Sequence, residues 1–366
     1  MNILILLTFF LFLCIVAFLV YQQIKPELIK SENSTNFNNP NSNISDLSQN
    51  QIYISRWLKD INIQQEQFSK ISKELSKYIY GMEDVANAMM IWLITKNHVL
   101  ISWYPGLAKT TSIKRFAALL WLDNGRVQGS VDLLPSDITG QNIYNPSTNS
   151  LETRLWPINH NIVLVDEINR MTPKSQSALL QAMAESSISI DDQNYQLPEP
   201  FMVLATMNPH DDYGTFPMSA ANLDRFALGI YVDRPSESDE KKIINQTIVS
   251  DNIDNIYSLT SYSLSDINQK LAIIFTEITN INIPEPQQNL ILSIIQKTRT
   301  NISIKTWLWP RSSIYISQIS KAIARLEWSD KVSDRHIYMS LSCVICHRLV
   351  LQDTSMDKVS LIYNLI

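Results

Sequence analysis

The sequence has few cysteines, only three among 366 residues. Cys14 lies inside a long apolar run, which leaves Cys343 and Cys346 for any bridge or metal site. Together with His347 they match the C-x-x-C-H pattern of covalent haem attachment. A structural zinc would need two further ligands, and the sequence has no second cysteine pair. Because the pattern falls in an amphipathic helical stretch, we expect packed side chains there and no disulfide, zinc or haem. A c-type cytochrome is the least favoured class.

The chain also lacks an excess of positive charge. It has 30 Lys and Arg against 35 Asp and Glu, a formal net charge of −5. Proteins that bind long stretches of nucleic acid usually carry a basic face, so this balance does not favour that class, although a local basic patch is compatible with it. With 366 residues, 45% of them apolar, the chain is long enough for two cores and an appendage.

Charged side chains are absent from residues 1–24, where Ile3–Tyr21 is an almost continuous apolar run of 19 residues. As a helix, this run spans the ~30 Å hydrocarbon core of a bilayer. The competing interpretation is a cleaved signal peptide, but no Lys or Arg precedes the run and no convincing A-x-A site follows it. Lys25 and Lys30 follow the run, which favours the cytoplasm for the C-terminal side. We predict one uncleaved transmembrane helix in a bacterial-type inner (cytoplasmic) membrane, crossed once.

A phosphate-binding loop is predicted within His98–Thr111, which reads HVLISWYPGLAKTT. A short apolar run ends in a Pro-Gly turn, and a helical pattern follows, which is the order strand, loop, helix. Lys109 would contact the β- and γ-phosphates, and the Thr110 hydroxyl would bind Mg²⁺. The usual pattern has glycine where this chain has Trp103 and Ala108, so the loop alone is weak evidence. The residues predicted to bind the nucleotide are Pro105, Gly106, Leu107, Ala108, Lys109, Thr110 and Thr111.

A second stretch, Asn161–Met171, strengthens the prediction of a nucleotide site. It reads NIVLVDEINRM, a buried strand that ends in the paired carboxylates Asp166 and Glu167. Opposite a phosphate loop, Asp166 would hold Mg²⁺ through its water shell, and Glu167 would orient the attacking water. An Asp-Glu pair alone is often a solvated strand end, but the predicted phosphate loop upstream argues against that interpretation.

Residues ~80–235 resemble the MoxR family of AAA+ ATPases over an almost unbroken length. The matching phrases are RVQGSVDLLPSDITG (126–140), VDEINRMTPKSQSALLQAM (165–183), LPEPFMVLATMNP (197–209) and GTFP with LDRF (214–226). The resemblance implies an α/β P-loop AAA+ nucleotide-binding domain with a smaller all-helical lid domain, and ATP and Mg²⁺ as cofactors.

The resemblance also implies roles for three polar residues outside the two motifs. Asn208, after a predicted strand at 201–206, matches the side-chain amide that helps fix the attacking water. Arg225, in LDRF, matches the arginine that an ATPase ring inserts from a neighbouring subunit, although pairing with Asp224 on the surface is the alternative. Arg311, in WPRS, matches a second γ-phosphate arginine. The sequence leaves open whether Arg311 acts on its own subunit or on the next.

Two short hairpins are predicted beside the site. Val131–Pro157 is rich in turn formers, and in the family that this chain resembles the region is a helix interrupted by a small hairpin. Asn145, Pro146 and Asn149 mark the predicted interruption. Ser187–Gln196 alternates around an Asp-Asp pair and predicts a second hairpin. In the family these two insertions face the substrate side of the ring.

Four segments follow from these patterns. Residues 1–24 form the anchor, and 25–50 form an Asn/Ser-rich linker that cannot bury a core. Residues 51–234 form the AAA+ α/β ATPase domain. From about Pro235 the strand patterns stop, and 235–366 form the helical lid domain.

The resulting functional prediction is a membrane-anchored, Mg²⁺-dependent ATP hydrolase that remodels or matures a protein client in a chaperone-like way. The resemblance implies a hexameric ring and a client that often carries a von Willebrand factor A domain. One alternative is a catalytically degenerate ATP-binding scaffold, suggested by Trp103. The other is a nucleic-acid motor, against which the net charge of −5 and the predicted anchor argue.

Overall fold

The computed structural model describes residues 83–103, 122–155, 157–191, 193–208, 214–232, 237, 241, 264–352 and 361–362. The predicted anchor, the linker and the phosphate loop Pro105–Thr111 lie outside these residues. Of the stretch that holds the predicted domain boundary, 233–263, only Glu237 and Lys241 are described. Within the described residues, no helix combines the length and apolar character needed to cross a bilayer.

The first part of the chain alternates strands with helices, as the sequence predicts. Its elements are α1 (Glu83–Thr95), β1 (Val99–Trp103), β2 (Asn124–Gln128), α2 (Pro135–Thr139), β3 (Gly140–Asn145), β4 (Ser150–Leu155), β5 (Ile162–Asp166), α3 (Pro173–Glu185), β6 (Ser187–Ile190), β7 (Gln193–Gln196), β8 (Met202–Met207), α4 (Ala220–Leu223) and β9 (Leu228–Val232).

The later part is mostly helical. Its elements are α5 (Leu264–Asn280), α6 (Glu285–Thr300), β10 (Ile304–Thr306), α7 (Pro310–Leu326), α8 (Asp334–Ile345) and β11 (Val350–Leu351). In α7, Pro310 occupies the first turn, where its missing N–H removes no helical hydrogen bond. α7 has an apolar face, because the side chains of Ile319, Ala322, Ile323 and Leu326 are fully buried.

Five strands form one parallel sheet in the order β2-β5-β8-β1-β9. All five residues of β5 are buried, as expected for a strand in a parallel sheet that is covered on both faces. Because side chains alternate along a strand, Ile162 and Leu164 join one apolar cluster while Val163 and Val165 join the other. The AAA+ α/β fold predicted from sequence is therefore confirmed.

Helix α1 belongs to the same apolar cluster as Ile162 and Leu164. Every side chain from Val85 to Ile94 is buried. A helix that is apolar all round needs cover on every side, and α1 packs against β9, α5 and α7. Helices α5 and α7 thus pack on α1, which in turn packs on the edge strand β9.

Both predicted hairpins are confirmed. β3 pairs antiparallel with β4, and β6 pairs antiparallel with β7. Side chains join the two hairpins: the Thr153 hydroxyl lies 3.0 Å from the Tyr195 hydroxyl, and the Asn142 amide donates to Asp191 over 2.5 Å. The α2 helix precedes the first hairpin directly, but the residues described between β4 and β5 form no helix, so the hairpin follows a short helix and does not interrupt one.

The prediction that residues 235–366 are entirely helical is wrong at one point. β10 and β11 form a small antiparallel ladder in which Ile304 lies opposite Leu351. These strands have three and two residues, too few to show an alternating pattern in the sequence. Their pairing arises because α7 and α8 fold back and bring the two segments together.

Candidate functional site

The carboxyl edge of the sheet gathers the predicted catalytic carboxylates. β5, β8 and β1 are parallel neighbours, so their carboxyl ends lie at the same edge. Asp166 ends β5, and Asn208 directly follows β8. The segment predicted as the phosphate loop follows Trp103, the last residue of β1. The structure therefore brings Asp166, Glu167 and Asn208 to the edge from which that segment leaves the sheet.

Asp166 is buried, and two side chains fix its carboxylate. The Thr206 hydroxyl donates to Oδ1 over 2.7 Å, and the Arg126 guanidinium donates to Oδ2 over 3.0 Å. Thr206 comes from β8 and Arg126 from β2, the two strands on either side of β5. The carboxylate is thus held in one orientation from both sides.

Glu167 turns the chain sharply after β5. Its backbone has φ 56° and ψ 52°, the left-handed region that non-glycine residues seldom adopt. Its N–H donates to the Thr206 hydroxyl over 3.1 Å, so one hydroxyl ties both acidic residues together. Its carboxylate accepts from the Gln128 amide over 3.2 Å and lies 3.3 Å from Nε of Arg170.

Gly129 permits this close approach. Its N–H donates to the carbonyl of Asp166 over 2.7 Å. A β-carbon at Gly129 would lie 2.2 Å from the carbonyl oxygen of Glu167, a distance that no side chain can tolerate. The end of β2 can therefore contact the Asp-Glu turn only because residue 129 is glycine.

Arg225 and Arg311 lie elsewhere, around Asp224 near the amino end of β9. Leu228, the first residue of β9, pairs with Val99, the first residue of β1, so residues 224–227 lie at the amino edge of the sheet. β9 is also three strand positions from β5, roughly 14 Å at about 4.8 Å per step. The structure does not bring these two arginines to the carboxylates of the same chain.

The side chains of the two arginines contact different partners. Arg225 donates to the carbonyl of Leu180 in α3 over 2.6 Å. Arg311, at the start of α7, lies 3.4 Å from Oδ2 of Asp224. The alternative of an Arg225–Asp224 pair is not what the structure has, since Asp224 pairs with Arg311 and with Arg348.

Comparisons with known proteins found matches in both sequence and fold. Residues 98–228 match the model of the ATPase family associated with various cellular activities (AAA). The chain is 30% identical over 293 residues to the chaperone MoxR1 of Mycobacterium tuberculosis, which covers 78% of this chain and 77% of the relative. It is 35% identical over 282 residues to YeaC of Bacillus subtilis, 77% of this chain and 86% of that protein. The crystal structure of a candidate ATPase from Cytophaga hutchinsonii superposes with a TM-score of 0.71 at 27% identity, over 85% of this chain and 95% of that one.

The chain belongs to the MoxR family of AAA+ ATPases. This confirms the family predicted from the sequence phrases. The roles predicted for individual residues, including those of the phosphate loop, remain predictions.

Three residues at the MoxR carboxyl edge were missed by sequence reasoning: Arg126, Gln128 and Thr206. For two of them the sequence contains a weak signal, because Arg126 and Gln128 lie two residues apart on the exposed face of β2. Nothing local indicates that β2 and β8 flank β5, so the contacts with Asp166 and Glu167 were not accessible from sequence.

The C-x-x-C-H stretch packs as part of the helical region. The Cys343 thiol donates to the Ser340 carbonyl over 3.3 Å, and burial raises the pKa of Cys343 to about 12, so the thiol stays protonated. The His347 ring lies 2.8 Å from the Phe226 carbonyl, and a β-carbon on Gly229 would clash with that ring. In this MoxR-family chain these side chains join α8 to the segment before β9.

Proposed function

We propose that this chain hydrolyses ATP in the presence of Mg²⁺ at the carboxyl edge of its sheet. The observation that supports this most is the Thr206 hydroxyl, which donates to Asp166 over 2.7 Å and accepts from the Glu167 N–H over 3.1 Å. It fixes the proposed metal-binding carboxylate of Asp166 relative to the backbone of Glu167, the proposed water-orienting residue. Such preorganisation is the main contribution a protein makes to phosphoryl transfer.

The residues at this edge fit a hydrated Mg²⁺ ion. Protein-bound Mg²⁺ keeps several waters and takes one or two carboxylates together with the phosphates of the nucleotide. Each oxygen of Asp166 has two lone pairs, so the contacts with Thr206 and Arg126 leave an acceptor on each oxygen. Asp166 and the Thr110 hydroxyl would hold the ion, and Lys109 would contact the phosphates. Bound Mg–ATP supplies the electrophilic phosphorus and neutralises the charge on the leaving phosphates.

Glu167 would orient the attacking water, and Asn208 would hold it near the γ-phosphate. In the structure the Glu167 carboxylate contacts Gln128 and Arg170. In turnover the Glu167 carboxylate would leave these partners by side-chain rotation, with its backbone N–H held on Thr206.

We also propose that Arg225 and Arg311 stabilise transition-state charge on the ATP of a neighbouring subunit in a ring, most simply a hexamer. Their location around Asp224, three strand positions from β5, supports this arrangement. Arginines supplied by a neighbouring chain in this way increase turnover by roughly 10³–10⁵.

The wider role follows from the family and from the sequence before residue 83. The Mycobacterium tuberculosis relative is named a chaperone, which supports remodelling of a protein client, with a von Willebrand factor A domain as the class implied by the family resemblance. Residues 1–24 would anchor the ring in the cytoplasmic membrane, 25–50 would tether it, and 51–234 and 235–366 would form the ATPase and lid domains in the cytoplasm.

The first test is ATP turnover by the full-length chain in detergent, beside Glu167→Gln. We expect turnover to fall by about 10³-fold or more while Mg–ATP binding is retained, because the amide cannot activate water. If both proteins bind ATP and neither turns it over at concentrations that drive assembly, the scaffold alternative is correct. Turnover that depends on added DNA would instead support the motor.

The second test mixes two inactive variants. Arg225→Ala keeps its own carboxylates, and Glu167→Gln keeps its own arginines. Mixed rings should recover activity at about a quarter of their interfaces, since a ring interface joins different patches of two subunits. No recovery from efficiently mixed rings contradicts the neighbour arrangement. Membrane anchoring is tested separately, by carbonate extraction and by N-terminal sequencing, where an intact Met1 excludes a cleaved signal peptide.

A further inference from the structure

Arg348 is a buried cation outside the carboxylate cluster. It lies three residues after α8, and its side chain is only 3% exposed. Its Nε lies 3.0 Å from Oδ1 of Asp224. The guanidinium also packs over the Tyr315 ring at 4.9 Å. Burial lowers the pKa of Arg348, and the Asp224 carboxylate opposes that shift.

The Nη atoms of Arg348 donate to the backbone around Arg225, and Nη1 also donates to the carbonyl of Val344 in α8. Nη2 donates to the carbonyls of Phe226 over 2.5 Å and Asp224 over 3.3 Å, and Nη1 donates to that of Ala227 over 3.3 Å. One side chain therefore holds the carbonyls on both sides of Arg225. The direction of the Arg225 side chain depends on the conformation of that backbone.

Two other features already fasten the same segment to the core. The Phe226 ring is fully buried, and the His347 ring contacts the Phe226 carbonyl over 2.8 Å. Arg348 adds contacts with the carbonyls of Asp224, Phe226 and Ala227 together. Its planar fork of donors suits it to fixing several acceptors at once.

We propose that Arg348 is a positioning residue for Arg225, holding the 224–227 segment so that Arg225 is directed at the ATP of the neighbouring subunit. This rests on the proposed function, because it assumes that Arg225 acts there. Arg348, after the end of α8, and Arg311, at the start of α7, both contact Asp224. In this proposal the helical region is therefore coupled to the ATP site of the neighbouring subunit.

The variant that tests this is Arg348→Lys in the full-length chain. Lysine keeps the charge opposite Asp224 but cannot hold several carbonyls in one plane. Its matched control is Arg325→Lys, because Arg325 is also largely buried, lies 2.6 Å from the Glu277 carboxylate and packs over the Trp328 ring at 4.4 Å. Arg325 lies in α7, and the Glu277 carboxylate with which it pairs lies in α5.

We expect Arg348→Lys to lower kcat by about 10- to 100-fold with ATP affinity unchanged, since small misplacements of a catalytic group cost this much. Arg325→Lys should retain wild-type kcat at a similar loss in Tm. Mixing Arg348→Lys with Glu167→Gln should restore turnover, because the first supplies intact carboxylates and the second a correctly placed Arg225. A merely unstable subunit would not be rescued in this way.

Two outcomes would overturn the proposal, and they differ from each other. If Arg225→Ala lowers turnover and is rescued by Glu167→Gln, but Arg348→Lys keeps its kcat or is not rescued, only the role of Arg348 is wrong. If Arg225→Ala itself leaves turnover unchanged, the proposed role of Arg225 is wrong and the role of Arg348 falls with it.

Discussion

The two edges of the parallel sheet present proposed catalytic side chains of opposite charge and are built differently. At the carboxyl edge, Asp166 and Glu167 are held by side chains of the neighbouring strands β2 and β8. At the amino edge, Arg225 and Arg311 lie beside Asp224, which is held by the distant Arg348. Within one chain each edge satisfies its own charges.

The comparison indicates why a single chain is an incomplete ATPase in our proposal. Carboxylates that hold a metal ion and arginines that stabilise phosphoryl charge must converge on one nucleotide. Here they are three strand positions apart on opposite edges of the sheet. A second copy that presents its amino edge to the first copy's carboxyl edge would supply the missing charge.

Thr206→Val tests the carboxyl edge alone without changing either carboxylate. Valine has the same shape but leaves Asp166 Oδ1 and the Glu167 N–H without their shared partner. We expect turnover to fall by about 10²-fold and the free energy of unfolding to fall by about 1–3 kcal/mol. Steady-state ATP hydrolysis and urea unfolding measure the two effects.

Because the amino edge is untouched, Thr206→Val should be rescued by mixing with Arg225→Ala. Thr153→Val is the control, since the Thr153 hydroxyl also bonds two side chains but lies on the β3–β4 hairpin. Equal loss of turnover in both threonine variants would mean that Thr206 acts only through stability.

A milder change, Arg126→Gln, sharpens the account of the carboxyl edge. Arg126 places a positive charge 3.0 Å from the proposed Mg²⁺ ligand Asp166. Its removal should lower the Mg²⁺ concentration for half-maximal turnover by about three- to tenfold, since the half-exposed guanidinium is partly screened by solvent. A Mg²⁺ titration at saturating ATP measures the shift.

The control is Arg154→Gln, an exposed arginine on β4. An unchanged or increased Mg²⁺ requirement for Arg126→Gln would argue that Arg126 does not act on the ion through Asp166.

The last prediction concerns stability, not turnover, near the amino end of β1. The His98 ring accepts from the Val203 N–H over 3.1 Å and contacts the Met183 carbonyl over 3.0 Å, which fixes its neutral form. Burial lowers the pKa of His98 from 6.5 to about 4. Between these values the unfolded chain binds a proton that the folded chain does not, so stability falls as the pH drops.

His98→Gln removes that proton-linked loss, which amounts to at most about 3 kcal/mol. Urea unfolding at pH 7 and pH 4.5 should therefore differ less for the variant than for the wild type. A variant with the wild-type pH dependence would assign the loss to other groups.

Much of the local structure was predictable. Ile162–Val165 is an uninterrupted apolar run, so β5 and the carboxylates at its tip follow from the sequence. The hairpin at Ser187–Gln196 follows from its alternation. The small β10–β11 ladder was not predictable, because strands of three and two residues show no period.

By itself, the sequence determined the elements, the family and the identity of Asp166, Glu167, Arg225 and Arg311 as candidates, because these depend on local periodicity and on contiguous phrases. Only the tertiary structure decided which side chains surround them. Thr206 lies 40 residues from Asp166 in the chain, and Arg348 lies 124 from Asp224. Hydrogen bonds near 3 Å require strand order and helix packing to be fixed first, and no local pattern specifies which distant element becomes the neighbour.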